Sequence, residues 1–315
     1  MRLLITRPLP APVMAAARAR FDVTARESTL PLTGEELRAS LRNFDLVLPT
    51  LGDLYRAEVF ADVASPRARL LANFGVGYNH IDVAAARAAG MAVTNTPGAV
   101  TDATADIALT LMLMTARRAG EGERLVRSGN WQGWHPVQML GMHLSGKRLG
   151  IIGMGRIGKA IARRAQAGFG MEVVFYNRSP VADPGVPATQ AGLEAVLGAD
   201  VVVLAVPGGA ETRHLINAGA LSQMRPHAIL INISRGDVVD EAALIAALHS
   251  GQIAGAGLDV YEQEPQVPAA LRAMENVTLL PHLGTAALEV RTAMGMMALE
   301  NLTAFADGQP LPNPV

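Results

Sequence analysis

The chain has no cysteine among its 315 residues. Without thiols it can form no disulfide, no thiolate-ligated metal site and no cysteine nucleophile. An excess of one charge sign is also missing, because 27 basic residues stand against 28 acidic ones and leave a net charge of -1. This balance gives no bulk attraction to nucleic acid or to an anionic membrane.

Long hydrophobic runs are also scarce. The apolar run at the N-terminus stops at Arg7 and Pro8, too early for a signal-peptide core. The run IALTLMLM at 107–114 is bounded by Asp106 and by two arginines, well short of a membrane span, and it predicts a buried helix. We therefore expect a cytoplasmic protein, which the lack of cysteine also fits, and no metal site.

Small and aliphatic residues dominate instead. The composition is 50% hydrophobic, 17% charged and only 4% aromatic, which is typical of a well-packed α/β enzyme. The length permits two domains.

Short apolar runs alternating with Ala-rich helical patterns predict a first set of strands at 2–6, 45–49, 69–73 and 91–94, with helices at 11–19, 34–42 and 82–89. A long helical stretch at 101–127 separates these from a second set of strands at 148–152, 172–176, 200–205, 228–233, 254–258 and 277–280, and a last helix is expected at 285–306.

A glycine-rich motif opens the second set. The segment LGIIGMGRIGKA at 149–160 places Gly153, Gly155 and Gly158 between a strand and a helix, and a further strand follows. This βαβ context is what the dinucleotide fingerprint requires. The first glycine allows the tight turn, the second lets the backbone approach a pyrophosphate, and the third lets the helix pack on the strand. The sequence thus predicts a dinucleotide site at the helix N-terminus.

The next strand lacks the carboxylate that usually ends it. In such units an Asp or Glu at this place binds the ribose hydroxyls of NAD. Here Asn177 stands there, followed by Arg178 and Ser179. Asn177 removes the repulsion that a carboxylate would exert on a 2′-phosphate, while an arginine fork and a hydroxyl can bind one. We expect NADP(H) to be preferred over NAD(H); the alternative is a plain polar turn with Arg178 in solvent.

Three later segments carry side chains suited to chemistry. They are ILINISRGDVVD at 229–240, GLDVYEQEP at 257–265 and LLPHLGTAA at 279–287. Each follows a predicted strand, where ligands bind in parallel sheets. Arg235 can hold a carboxylate bidentately and polarise the adjacent carbonyl. His282 suits proton exchange near neutral pH, and Glu264 can hold its other ring nitrogen.

Together these residues suit reduction of a 2-oxo acid by hydride transfer from a nicotinamide. The remaining six histidines lack such a setting and are expected to be structural or surface residues: His80, His135, His143, His214, His227 and His249.

These motifs, with FGVGYNHID at 74–82 and GMGRIG at 153–158, resemble the D-isomer-specific 2-hydroxyacid dehydrogenase family over nearly the whole chain. The resemblance implies two Rossmann-like domains with the active site in the cleft between them. A flavodoxin-like substrate domain would comprise 1–98 and 284–315, and an inserted dinucleotide-binding domain 99–283. It also implies a homodimer joined through the cofactor domains, with Arg235 binding substrate, His282 as acid/base and Glu264 as its partner.

The resemblance implies further site residues. Val76 and Gly77 would present backbone N–H groups to the substrate carboxylate, a role that a Gly-rich turn can fill. Thr104 and Asp259 would lie near the nicotinamide, although the segment TDATAD departs from the usual acidic residue two places before Asp106. The rest of the cofactor set comprises Arg156 and Ile157 at the pyrophosphate, Val206, Pro207 and Thr212 beside the adenosine half, and Ile233, Ser234 and Gly284.

Within the family, formate dehydrogenases have Gln where Glu264 stands, and the Glu-His pair favours proton transfer to a carbonyl. The length leaves no room for the regulatory C-terminal domain of many phosphoglycerate dehydrogenases. With the NRS segment, these features favour an NADP-dependent glyoxylate/hydroxypyruvate reductase. A 2-ketogluconate or aryl-pyruvate reductase remains an alternative, and so does, from another class, a dinucleotide-sensing corepressor-like binding module.

Substrate size is expected to depend on the PTLGDL loop at 49–54, where Leu51 would narrow the pocket. Flexible methionines of the last helix, Met294, Met296 and Met297, could admit larger groups, although core packing is the favoured interpretation. Trp131 or Trp134 either reaches a neighbouring subunit's cleft or anchors its own loop.

Overall fold

The computed structural model describes the whole chain, Met1 to Val315. The chain folds as two compact units: unit 1 comprises Met1–Val100 and Ala286–Val315, and unit 2 comprises Thr101–Thr285. The domain limits expected from the sequence, at 98/99 and 283/284, fall two residues before these breaks. None of the helices combines the length and apolar character needed to cross a membrane. The cytoplasmic location stays a prediction.

Unit 1 contains a five-stranded parallel sheet in the order β2-β1-β3-β4-β5. This is the flavodoxin-like strand order. Its strands are β1 (Arg2–Ile5), β2 (Asp22–Ala25), β3 (Leu46–Leu48), β4 (Leu70–Ala72) and β5 (Ala92–Thr94). Its helices are α1 (Ala11–Arg20), α2 (Gly34–Asn43), α3 (Ala57–Ala61), α4 (Val83–Ala88) and α12 (Leu288–Ala306).

The buried strands of unit 1 follow from continuous apolar runs. All residues of β3 and β4 are buried, as expected where helices cover both faces of a parallel sheet. Strand β2 was not predicted, because this edge strand is polar and only alternately covered. In α12, Met294 is buried in the core while Met296 is exposed. Core packing therefore accounts for the first of these methionines only.

Unit 2 contains a seven-stranded parallel sheet in the order β12-β11-β10-β9-β6-β7-β8. Its first six strands repeat the Rossmann order, and one strand is added at the edge. The strands are β6 (Arg148–Ile152), β7 (Glu172–Tyr176), β8 (Ala188–Gln190), β9 (Val201–Leu204), β10 (Ile229–Asn232), β11 (Gly255–Leu258) and β12 (Val277–Leu279). The helices are α5 (Thr101–Ala116), α6 (Ala119–Arg127), α7 (Arg156–Phe169), α8 (Leu193–Leu197), α9 (Ala218–Leu221), α10 (Glu241–His249) and α11 (Ala269–Ala273).

The prediction of a single helical stretch at 101–127 is wrong, because the helix is interrupted between α5 and α6. Arg118 takes a left-handed conformation with φ +53. The carbonyl of Ala116 accepts a hydrogen bond from the N–H of Met142 at 2.7 Å, a contact from a distant segment that the local pattern does not reveal. The apolar run at 107–114 does form a helix with a buried face, as predicted.

All strands of unit 2 are parallel, so their carboxyl ends lie at one edge of the sheet. The strand order reverses between β6 and β9, since the chain goes from β6 to β7 on one side and β9 lies on the other. In open α/β sheets, ligands bind at this reversal point, outside the carboxyl ends.

Candidate active site

The glycine-rich loop leads from β6 into α7. A Cβ on Gly153, whose φ is +102, would lie 2.7 Å from the carbonyl of Ala205. A Cβ on Gly158 would lie 2.1 Å from the Gly153 carbonyl oxygen. Close packing within the protein therefore explains why both positions hold glycine. Gly155 is different, because no atom lies within 4 Å of the place a Cβ would take.

The start of α7 offers unused donors beside this open space. The first N–H groups of a helix have no intrahelical acceptor, and no other backbone bond uses those of Arg156 and Ile157. Open space at Gly155 and donors at the positive end of a helix dipole fit a bound pyrophosphate.

Asn177 organises the turn that follows β7. Its Oδ1 accepts from the N–H of Met154 at 3.3 Å, and its Nδ2 donates to the carbonyl of Ser179 at 2.9 Å. Arg178 is 80% exposed and forms an ion pair with Glu211, from the turn after β9. Because β7 and β9 flank β6, this pair joins the turns on either side of the glycine-rich loop. No local sequence pattern predicts Glu211 in this place.

Arg235 follows β10, and its side chain is closely surrounded. A Cβ on Gly208 would lie 2.6 Å from Arg235 Cγ, so the turn after β9 runs directly along the arginine stem. Its guanidinium donates to the carbonyl of Ser234 at 2.7 Å. Burial lowers the pKa of Arg235 from its ordinary value, while the carboxylates of Glu264 and Asp237 act against that lowering. Arginine remains a cation at neutral pH even so.

Glu264 and His282 are in direct contact. Nδ1 of His282 lies 2.9 Å from Oε2 of Glu264, and the other carboxylate oxygen accepts from the N–H of Tyr261 at 3.0 Å. Burial acts to raise the pKa of Glu264, but the hydrogen bond and charge of His282, with the Tyr261 N–H and Arg235, bring it below the ordinary value. Glu264 is thus a carboxylate at neutral pH, and Nε2 of His282 is left for proton exchange.

Asp259 holds the loop that carries His282. Its carboxylate accepts from the N–H of Leu283 at 2.6 Å and from that of Gly284 at 2.8 Å. Burial raises the pKa of Asp259 despite these bonds and the nearby His282. Thr104 is buried rather than on a helix surface, and its hydroxyl donates to the carbonyl of Gly284 at 3.1 Å.

The remaining cofactor candidates of unit 2 hold the turns after β9 and β10. The hydroxyl of Thr212 donates to the carbonyl of Pro207 at 2.8 Å, which closes the turn after β9. The hydroxyl of Ser234 donates to the carbonyl of Val206, which ties that turn to the next one. Ile233 is buried in the core of the unit.

The candidate residues of unit 1 lie on two loops. The carbonyls of Val76 and Gly77 accept from Asn95 at 2.8 Å and Asn73 at 3.0 Å, while their N–H groups have no acceptor in the protein. In the other loop, Arg7 donates to Thr50 Oγ1 at 2.8 Å and to the carbonyl of Leu51. Leu51 is 36% exposed.

A second histidine-glutamate pair lies beside the first. Nε2 of His214 is 2.9 Å from Oε1 of Glu262, two residues before Glu264. The sequence predicts a structural or surface role for His214 and does not reveal this contact. The two residues are far apart in the chain, and only the meeting of two turns brings them together.

A family model matches more than half of the chain, and a curated relative matches nearly all of it. A family model described as D-isomer specific 2-hydroxyacid dehydrogenase, NAD binding domain, matches residues 109–284. The glyoxylate reductase of Pyrococcus furiosus is 44% identical over 315 residues, 98% of this chain and 93% of that protein.

Two solved structures are similar in both fold and sequence. A protein from Thermus thermophilus aligns with a TM-score of 0.93 at 42% identity and covers all of both chains. An NADPH-dependent glyoxylate/hydroxypyruvate reductase from Sinorhizobium meliloti, in complex with NADP and malonate, aligns with a TM-score of 0.88 at 36% identity, covering 100% of this chain and 96% of that one.

Proposed function

We propose that this chain, which belongs to the D-isomer specific 2-hydroxyacid dehydrogenase family, reduces glyoxylate or hydroxypyruvate to the D-2-hydroxy acid and prefers NADPH. Membership makes it an NAD(P)-dependent oxidoreductase that acts on small 2-oxo or 2-hydroxy acids. The observation that carries the proposal is the contact between Glu264 and His282 beside Arg235, at the carboxyl edge of the sheet. The similar structure from Sinorhizobium meliloti is described as a glyoxylate/hydroxypyruvate reductase, which supports the choice of these two substrates.

In the proposed reaction each residue of this trio has one task. Arg235 binds the substrate carboxylate and polarises the adjacent carbonyl. His282 donates a proton from Nε2 to the carbonyl oxygen as the C–H bond forms. Glu264 stays ionised, orients the ring through Nδ1 and stabilises the protonated form. When bound, the reduced nicotinamide supplies the hydride.

The residues of the glycine-rich loop fit such a cofactor. Arg156 and Ile157 would bind the pyrophosphate through their N–H groups, and the open space at Gly155 lets it approach. Thr104, Asp259 and Gly284 would border the nicotinamide end. Val206, Pro207, Thr212, Ile233 and Ser234 would line the rest of the cofactor site. In unit 1, Val76 and Gly77 would bind the substrate carboxylate, and Leu51 would limit substrate size.

The proposed NADPH preference rests on the turn after β7. Asn177 carries no charge, and Arg178 and Ser179 are exposed at the carboxyl end of the strand. Glu211 modifies this proposal, because its carboxylate is paired with Arg178 and would compete with a 2′-phosphate for it. NADH is therefore expected to serve as a second, poorer cofactor.

We propose a homodimer formed through unit 2. The segment 126–140 carries a run of exposed large apolar side chains: Val126, Trp131, Trp134, Val137 and Leu140. Patches of this kind mark interaction sites. Sedimentation of the full chain should give the mass of a dimer, and a monomer at working concentrations would reject the proposal.

A turnover assay tests the proposed activity. Purified protein is mixed with NADPH or NADH and with glyoxylate, hydroxypyruvate, 2-ketogluconate or phenylpyruvate, and absorbance of the reduced cofactor is followed. We expect the first two substrates to be fastest and His282→Asn to lose at least about 100-fold in kcat, as expected for a lost general acid. His227→Asn, a histidine at the opposite edge of the sheet, serves as the matched control.

Each outcome of this assay separates one alternative. Faster turnover of phenylpyruvate or 2-ketogluconate would move the chain to the other reductases of the family. No turnover with any substrate, combined with tight dinucleotide binding, would favour a binding module. Full activity of His282→Asn would reject the mechanism whatever the substrate.

A further inference from the structure

We propose that His214 and Glu262 form a positioning pair that holds the Glu264-His282 pair and Arg235 in register. This inference rests on the proposed function, because it assigns these two residues a part in the same reaction. The observation behind it is that one short turn after β11 carries two glutamates, each in contact with a different histidine.

The two pairs have the same contact distance, although they use different ring nitrogens. Nε2 of His214 lies 2.9 Å from Glu262, and Nδ1 of His282 lies 2.9 Å from Glu264. Both histidines take a left-handed backbone conformation, with φ +50 for His214 and +55 for His282. Such a conformation is uncommon outside glycine and persists where the surroundings enforce it. The turn at 261–264 is therefore held from two sides.

His214 also fixes the turn that carries Arg235. Its N–H donates to the carbonyl of Asp237 at 2.7 Å, and that of Ile216 donates to the carbonyl of Val238 at 3.0 Å. The segment after β9 thus runs alongside the chain just beyond Arg235. A shift of His214 would be passed to that chain through these bonds.

The loop that follows Arg235 packs on the peptide bond between Tyr261 and Glu262. A Cβ on Gly236 would lie 1.8 Å from the carbonyl carbon of Tyr261 and 2.3 Å from the nitrogen of Glu262. No side chain could be accommodated there, so the two backbones are in contact. A displaced Glu262 would therefore disturb Arg235 as well as Glu264.

His214 contacts a turn that is surrounded by carboxylates. Oε1 of Glu241 accepts from the N–H of Glu262 at 3.0 Å, so the carboxylates of Glu241, Glu262 and Glu264 lie around one turn. Burial raises the pKa of Glu241, and the carboxylates of Glu262 and Glu264 add to that effect. His214 is the close hydrogen-bond partner of Glu262, since the guanidinium of Arg213 is 3.8 Å away. Without His214, Glu262 would lose this hydrogen bond and keep only the longer ion pair with Arg213.

The main test compares two histidine variants in the full chain. His214→Asn tolerates the left-handed backbone but is too short to reach Glu262. His227→Asn breaks a matched pair, with Asp200 at 2.7 Å, at the amino edge of the same sheet. We expect His214→Asn to lower kcat for glyoxylate reduction about 10-fold, with KM for NADPH within about twofold of wild type, because small misplacements of catalytic groups are costly. His227→Asn should leave both constants unchanged.

Two further measurements identify positioning as the cause. Glu262→Gln retains an acceptor for His214 and should keep most of kcat, whereas Glu262→Ala should lose as much as His214→Asn. In a Glu264→Gln background, His214→Asn should cost much less than it does alone, because the two residues act through one pair.

An unchanged kcat in His214→Asn, with thermal stability lowered as in His227→Asn, would overturn the proposal and make the pair structural. Full additivity with Glu264→Gln would also overturn it. Failure of the proposed function would be visible separately, as a wild-type chain that turns over neither glyoxylate nor hydroxypyruvate, and failure of its mechanism as full turnover by His282→Asn.

Discussion

At the scale of the residue, the site depends on glycines as much as on charged groups. Gly208 lies where any side chain would meet the stem of Arg235. Gly236 lets the Arg235 turn rest on the backbone at Tyr261. The position of the Arg235 side chain thus depends on the lack of a side chain at Gly208 and at Gly236. Substitutions at these two glycines therefore test the role of Arg235 without removing it.

We predict that Gly208→Ala raises KM for the 2-oxo acid at least about 10-fold, since the added Cβ would lie 2.6 Å from Arg235 Cγ and must displace it. The KM for NADPH should change less than about twofold. Gly168→Ala is the matched control, because its Cβ would meet nothing within 4 Å and the residue lies in helix α7. Steady-state kinetics with both substrates measures the effect. An unaltered KM for the 2-oxo acid would argue against Arg235 as the carboxylate ligand.

Residue types with a strong local signal could be predicted from the sequence. The glycine-rich loop, Arg235, Glu264 and His282 each follow a clear apolar strand, and the structure brings Glu264 and His282 into contact. His214 and Glu211 could not be predicted, because their partners are distant in the chain and their turns have no periodicity. Gly208 gave no signal either, since its neighbour Arg235 belongs to another turn.

At the scale of the element, strand order places opposite charges over the glycine-rich loop. Arg178 follows β7 and Glu211 follows β9, and these strands flank β6. Buried strands were predicted well because their apolar runs are continuous. The edge strands β2 and β8 were missed, since both are polar and partly exposed and so lack a continuous apolar run. The break between α5 and α6 depends on a bond from Met142, which no helical pattern encodes.

This arrangement predicts opposite effects of two substitutions on cofactor choice. Glu211→Gln should lower KM for NADPH about two- to fivefold, because it releases Arg178 and removes a repulsive carboxylate; the effect is small since exposed ion pairs are weak. Arg178→Ala should raise KM for NADPH about tenfold, because it removes a charged ligand of the phosphate. Neither should change KM for NADH by more than about twofold.

Initial rates with each cofactor at saturating 2-oxo acid decide the matter. If Arg178→Ala leaves KM for NADPH unchanged, the proposed phosphate site is wrong. If Arg178→Ala raises KM for NADPH but Glu211→Gln has no effect, the proposed phosphate site is supported. The proposed competition between Glu211 and the phosphate is then wrong.

At the scale of the whole molecule, the two units differ in how the chain builds them. Unit 2 is one continuous segment, Thr101–Thr285, whereas unit 1 joins the first hundred residues to the last helix. Two clusters of buried apolar side chains, one including Val202 and Leu230 and the other Ile151 and Val203, lie wholly within unit 2. The glycine-rich loop, the trio and the exposed 126–140 segment belong to the same unit.

We therefore predict that a fragment comprising residues 101–285 folds on its own, binds NADPH and sediments as a dimer. Its core is complete without unit 1, and a segment of this size buries enough surface for independent stability. A single cooperative thermal transition by circular dichroism, an NADPH titration by fluorescence and sedimentation velocity measure the three properties. The fragment carrying Gly158→Val is the control, because a larger side chain there would meet the Gly153 carbonyl and should abolish binding. A fragment without a cooperative transition would show that unit 2 needs unit 1 to fold, and a folded monomer would instead reject the 126–140 segment as sufficient for dimerisation.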